Sequence, residues 1–355
     1  MLYELRSVGH FTDNNRIETA FISEGGGISV GRKQRVLLNE ENINVRRRQL
    51  RRLRLSLLSR SGVALYGEAA TKRRFSLATI SGLFVLMLPP AFAVGQTACR
   101  FNAKLLEFEG SPVDQAKCLL QPVLKGARLG GRLQDLPTPL AALVGQPLSF
   151  TKGRFRRLLK ARDVVEGDLG GSVDQNVSET EEGKQAQYFV IHDTSSPYLD
   201  SVEFPSNINQ DTWDGNRLAR WAQLKNAHVY VNRVGGSVTA ENFSTPWRAT
   251  KLEVVQVGKR ARGRFLHVES VQPRRSDPLG PPTNDLLAPL PGFSDAQLQR
   301  LALVYVAASL REGHWLIPAF HAVIDSGFKD GHDDPQEFDL QKWALFVGKL
   351  NDELR

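Results

Sequence analysis

Tyr188-Phe189-Val190-Ile191-His192-Asp193-Thr194-Ser195-Ser196 is the stretch on which the reading of this chain turns. Its first four residues are all aromatic or β-branched, a run of strand length suited to burial on both faces. The run stops at a histidine, and polar residues follow. Downstream, His228-Val-Tyr-Val231 repeats the pattern and leads into Asn232-Arg-Val-Gly-Gly236, a hairpin-turn signal. Residues 251–257 and 264–269 read as two further strands. Ile317-Pro-Ala-Phe320, followed at once by His321, is another apolar run.

Helical patterns alternate with these strands. Ser294 and Gln297 have capping-box spacing, and Phe293 with Leu298 fits a hydrophobic staple. Leu298, Leu301, Ala302, Tyr305 and Ala308 then form an apolar stripe. A last helix is predicted from near Asp339, with Leu340, Trp343, Val347, Leu350 and Leu354 on one face. Residues 273–292 are proline-rich and read as a long surface loop. The fold class is therefore α/β, a mixed central sheet flanked by helices.

Upstream of Tyr188 the texture differs. Residues 99–165 carry apolar residues at mixed three- and four-residue spacing, broken by Pro112, Pro122, Pro137 and Pro139, and read as a small helical region. Residues 167–187 are polar, glycine-rich and without periodicity, which reads as a linker.

Charge is distributed unevenly along the 355 residues. The formal net charge is +8, and residues 1–74 hold all of it, with 15 Lys/Arg against 7 Asp/Glu. Residues 94–355 balance at 31 of each. Arg46-Arg-Arg48 and Arg51-Arg-Leu-Arg54 would suit a nucleic acid or an anionic surface. Lys72-Arg-Arg74, the uncharged stretch 75–88 and Ala91-Phe-Ala93 instead form the three parts of a secretory signal, with cleavage expected after Ala93. The apolar stretch is short for a membrane span. No Met lies between Met1 and Met87, so a start close to Lys72 would need a non-AUG codon.

The expected organisation is an Arg-rich leader (1–71), a signal peptide (72–93), a small helical region (94–166), a linker (167–187) and a catalytic domain (188–355). Export places the two cysteines, Cys99 and Cys118, in an oxidising compartment, where a disulfide is expected. Composition excludes collagen, a coiled coil, a disulfide mini-protein and a wholly disordered chain.

Three places carry chemistry: His192 at a strand end, His321 after another apolar run, and Gly331-His332-Asp333-Asp334-Pro335. A lone buried histidine is ordinarily a hydrogen-bonded core residue. Two neutral imidazoles and a carboxylate together make a three-ligand catalytic zinc set, leaving a fourth position for water.

In order and content these pieces resemble the zinc-dependent N-acetylmuramoyl-L-alanine amidases of the type-2 class, whose fold is shared with phage T7 lysozyme and the peptidoglycan recognition proteins. The resemblance covers about residues 186–345. Residues 188–196 look like the family's first-ligand strand and 227–235 like its next core strand and turn. Leu266-His-Val-Glu269 resembles the strand ending in a catalytic glutamate, 317–321 the second-ligand strand, and Asp334-Pro335 with Phe338-Asp339 the third-ligand motif.

The resemblance implies Zn2+ held by His192, His321 and Asp334, with Glu269 as proton carrier. His332 stands where the family often has a lysine and would stabilise the oxyanion; Asp333 is the other candidate for that role. The implied substrate is peptidoglycan, cut between N-acetylmuramic acid and L-alanine in the periplasm or outside the cell. No nucleic-acid partner and no stable membrane span are expected of the mature chain.

The competing readings are a non-catalytic peptidoglycan receptor on the same fold, an enzyme cutting another peptide bond, and a nucleic-acid binder acting through the arginine-rich arm. His228 reads as a buried or pocket-wall residue. His267 shares a face with Glu269 if its strand is regular. His10 and His314 suggest no role. Trp213, Trp221 and Trp247 would pack or stack on sugar.

Overall fold

The computed structural model describes residues 7–13, 16–22, 28–30, 99–200, 203–277 and 286–355. It divides into two compact units, residues 1–88 and 89–355. In the first, strands Ser7–Asp13, Arg16–Ile22 and Ile28–Val30 form an antiparallel sheet in sequence order. The arginine run 46–54 and the expected signal segment 72–93 lie outside the described residues.

In the second unit, five strands make the central sheet: β1 (Tyr188–Asp193), β2 (Val229–Val231), β3 (Ser237–Thr239), β4 (Phe265–Ser270) and β5 (Ile317–Phe320). Their order is β3-β2-β4-β1-β5. β1 is parallel to β4 and β5, β4 is parallel to β2, and the β2–β3 hairpin is antiparallel. Every residue of β1 is buried, as its unbroken apolar run requires of a central parallel strand. The hairpin turns through Gly235 at φ 85°, a left-handed conformation that favours glycine.

Helix α5 (Asp295–Glu312) is buried nearly all round, because α7 (Leu340–Leu354) covers the side away from the sheet. The Ser294 hydroxyl caps α5 by accepting from the Gln297 N–H. Gln297 does not return the capping-box bond. Its side-chain amide instead donates to the carbonyls of Val231 and Val271, tying α5 to the ends of β2 and β4. Asp339 caps α7 by accepting from Lys342 N–H.

Residues 251–257 are not a strand. They form a wide π-helical turn, Leu252–Val257, with Val254 and Val255 exposed. Thr250 and Glu253 explain it. The Thr250 hydroxyl accepts from the Glu253 N–H, and the Glu253 carboxylate accepts from the Thr250 N–H. This reciprocal pair starts a helical turn, and it overrides the β-branched composition.

Helices α1 (Pro112–Leu119), α2 (Thr138–Leu143) and α3 (Lys152–Ala161) lie within 99–165, and α4 (Leu218–Ala222) follows β1. Leu119, Leu140, Phe155 and Leu159 belong to the same buried core as Phe189, Leu266 and Tyr305. The Tyr188 hydroxyl accepts from Phe108 N–H at 2.8 Å and donates to Gln115 at 2.9 Å. Cys99 and Cys118 are joined in a disulfide.

Residues 167–187, polar by sequence and read as a linker, are closely packed. Leu169, Val173 and Val177 enter the common core. Gly170, at φ 89°, lies so near Phe243 that a Cβ there would fall 2.1 Å from the ring. Gly170 and Gly171 serve close approach rather than flexibility. Among the described residues no helix is long and apolar enough to cross a membrane.

Candidate metal centre

The parallel strands β1, β4 and β5 end together, and their carboxyl ends are where ligands bind in open α/β sheets. Register does the rest. Glu269 lies opposite His192 in the β4–β1 ladder. Phe320 pairs with Ile191, so His321 follows directly at the level of His192. His321 opens the short helix α6 (His321–Ile324). Asp334 is brought in from the following loop: its backbone carbonyl accepts from Ala322 N–H at 2.8 Å, and Oδ2 accepts from Asp193 N–H at 3.1 Å.

His192, His321 and Asp334 are all buried, and each offers one ligand atom within 4.8 Å of the others. His321 Nδ1 is 3.1 Å from Asp334 Oδ1, and His192 Nδ1 is 3.7 Å from Asp334 Oδ2. Tetrahedral zinc with bonds of about 2.0–2.2 Å places its ligand atoms about 3.3–3.5 Å apart, close to the 3.3 and 3.7 Å that separate Asp334 Oδ2 from His321 Nδ1 and His192 Nδ1. The buried Glu269 Oε2 has no hydrogen-bond partner, which leaves an acceptor free beside the three.

These residues line a cavity of about 420 Å³ with Thr194, Ser195, Lys225, Asn226, Trp247, Arg248 and His332. His332 is on its wall and Asp333 is not: the Asp333 carboxylate accepts from Gln336 Nε2 at 2.8 Å. Trp247 borders the cavity, whereas Trp213 and Trp221 are buried in a separate small cluster with Tyr230. His228 is fully buried in a closed pair of hydrogen bonds, accepting from His267 N–H through Nδ1 and facing the Thr245 carbonyl through Nε2, both at 3.0 Å. His314 is exposed beside Glu312, away from the centre.

The electrostatics are those of a site built for positive charge. Burial pushes the Glu269 carboxyl well above its ordinary range, and the carboxylates of Asp334 and Asp193 add to the shift. Burial lifts Asp193 to about 6 against the pull of Arg274, which donates to it at 2.6 Å. Burial and the neighbouring His321 and His267 hold His192 well below an ordinary histidine. Burial also acts to lower His321, but Asp334 and Asp325 outweigh it and push that ring up to about 10. A divalent cation bound there would displace the proton that His321 holds between these carboxylates.

Asp325 is a supporting residue that the sequence did not signal. Its Oδ2 stands 3.0 Å from His321 Nε2 and 2.7 Å from His332 Nδ1, and the two rings stack at 4.0 Å. It sits four residues after His321, one turn along, which is the only signal spacing could have offered. Asp193 likewise braces the loop that carries Asp334, accepting from Ser195, Arg274 and Gln336.

No protein-family model and no curated protein matches this chain. A search of solved structures finds the crystal structure of a selenomethionine derivative of AmpD, 20% identical, covering 51% of this chain and 98% of that one, with a TM-score of 0.29.

Proposed function

We propose that residues 188–355 form a zinc-dependent amidase that acts on peptidoglycan, cleaving the amide between N-acetylmuramic acid and the L-alanine of the stem peptide. One observation carries this: His192, His321 and Asp334 converge in a cavity that Glu269 also lines, its buried Oε2 without a hydrogen-bond partner. The substrate class rests on the five ordered motifs that resemble the type-2 amidases.

Zinc held by these three side chains would supply Lewis acidity, bringing the pKa of water to about 7 and polarising a scissile carbonyl. Glu269 Oε2 takes the proton from the attacking water and delivers it to the amine nitrogen as the C–N bond breaks. One proton thus passes from water to the leaving amine while hydroxide stays on the carbonyl carbon. His332, whose Nδ1–H faces Asp325 Oδ2, donates to the oxyanion from Nε2 when its ring carries both protons. Lys225 and Arg248 on the cavity wall suit the carboxylates of a stem peptide. Such a substrate lies outside the inner membrane, where the sequence of residues 72–93 leads the chain to be expected.

A receptor without catalytic function would need neither Glu269 nor three complete ligands, and the site has both. Digestion of purified sacculi by the zinc-loaded protein, followed by mass analysis, tests the reading. Free stem peptides with glycan strands intact are expected. No release by a protein whose zinc content has been verified would refute it.

A further inference from the structure

The chemistry above leaves unused a row of buried polar groups behind His192. His192, His267 and Glu253 are all buried, with His267 and Glu253 fully so. His192 Nε2 lies 3.0 Å from His267 Nδ1, and His267 Nε2 lies 3.1 Å from Glu253 Oε2. His267 Nε2 has no aligned hydrogen-bond partner, and Glu253 Oε2 is the carboxylate oxygen within reach of it.

The direction of the row follows from its far end. Glu253 Oε2 accepts from the N–H of Ala249, the N–H of Thr250 and the Thr250 hydroxyl. Three donors already point at this oxygen, so it acts as an acceptor, and what faces it from His267 Nε2 is an N–H rather than a second lone pair. A neutral imidazole protonated at Nε2 is bare at Nδ1. His192 must therefore donate from Nε2, and its own Nδ1 keeps its lone pair, facing Asp334. His267 is held in register because its backbone N–H donates to His228 Nδ1.

We propose that Glu253 and His267 are positioning residues that fix His192 as the Nε2–H tautomer and so hold Nδ1 ready for the zinc. This rests on reading His192, His321 and Asp334 as the metal centre. It gives both ligand histidines carboxylate support, direct from Asp325 to His321 Nε2 and through an intervening imidazole from Glu253 to His192. It also gives a use to the π-helical turn at Leu252–Val257, which carries Glu253 into the interior.

The test compares zinc affinity, by competition with a chelator, in the wild type, His267→Asn and His267→Leu, with melting of each apoprotein as the folding control. Asparagine keeps an acceptor oxygen where Nδ1 stood and should bind within a fewfold of wild type. Leucine removes it and should weaken zinc binding by about 10–100-fold, the usual effect of losing a ligand's hydrogen-bond partner. Nitrogen-15 spectra of the wild-type histidine rings, which need no variant to fold, should show His267 protonated at Nε2 and bare at Nδ1.

Wild-type affinity in His267→Leu, equal losses in both variants, or a His267 protonated at Nδ1 would each overturn the proposal. A wild type that takes up no zinc would overturn the metal-centre reading, and this proposal with it.

Discussion

At the scale of single residues, the candidate centre is set by how deeply its imidazoles and carboxylate are held: His192, His321 and Asp334 are each almost closed to solvent. His192, His321 and Glu269 stand at the ends of apolar runs, where a strand must emerge from the core, and the structure brings them together with Asp334. Asp325, Asp193 and Glu253 are ordinary acids by sequence. Their roles come from burial beside histidines and from Arg274, which only the folded chain reveals.

His228 makes a prediction at this scale. Burial, with a further contribution from His267, lowers it from 6.5 to about 3 in the folded protein. Between these values the unfolded chain binds the extra proton. The stability His228 contributes is therefore complete above pH 6.5 and is lost as pH falls toward 3, at up to about 1.4 kcal/mol per pH unit. Urea unfolding between pH 7 and pH 4 should show a shallower pH slope in His228→Asn than in the wild type. Equal slopes would contradict the buried neutral assignment.

Among the elements, strands read well where burial was two-sided, and helices where caps were clean. β1 and β5 lie where their apolar runs place them, and α5 and α7 begin after Ser294 and Asp339. The failure at 251–257 is instructive. Val254, Val255 and Val257 weigh toward a strand, yet Thr250-Lys-Leu-Glu253 carries capping-box spacing, and two reciprocal hydrogen bonds decide the local structure. At Ser294 the same spacing yields only half a box, because Gln297 finds strand carbonyls to bond. Spacing identifies a possible cap, and the tertiary neighbours determine what its second residue does.

For the whole molecule, the charge and the domain plan need separate treatment. The +8 of the chain lies in residues 1–74, and the arginine-rich part of that stretch is outside the described residues. The main buried core draws on both sides of the expected boundary: Leu119 and Phe155 lie in it with Leu169 and Leu266, and Arg264 donates to the Leu106 carbonyl at 2.9 Å. Composition hid this, since glycines that permit close packing look like the glycines of a linker.

A fragment of residues 188–355 should consequently fail to fold cooperatively, while residues 99–355 should unfold in one urea transition. Cooperative folding and zinc uptake by the shorter fragment would show that residues 99–187 are dispensable to this core.

The central claim is that three side chains hold a zinc ion while a fourth moves the proton. Zinc content and stem-peptide release from sacculi, measured side by side on the wild type, His321→Ala and Glu269→Gln, test it most directly. The wild type should hold one zinc and release peptide. His321→Ala should lose both, and Glu269→Gln should keep its zinc with activity reduced by at least about 100-fold, the lower end of what a general base contributes. Full activity in either variant, or loss of zinc on neutralising Glu269, would contradict the account.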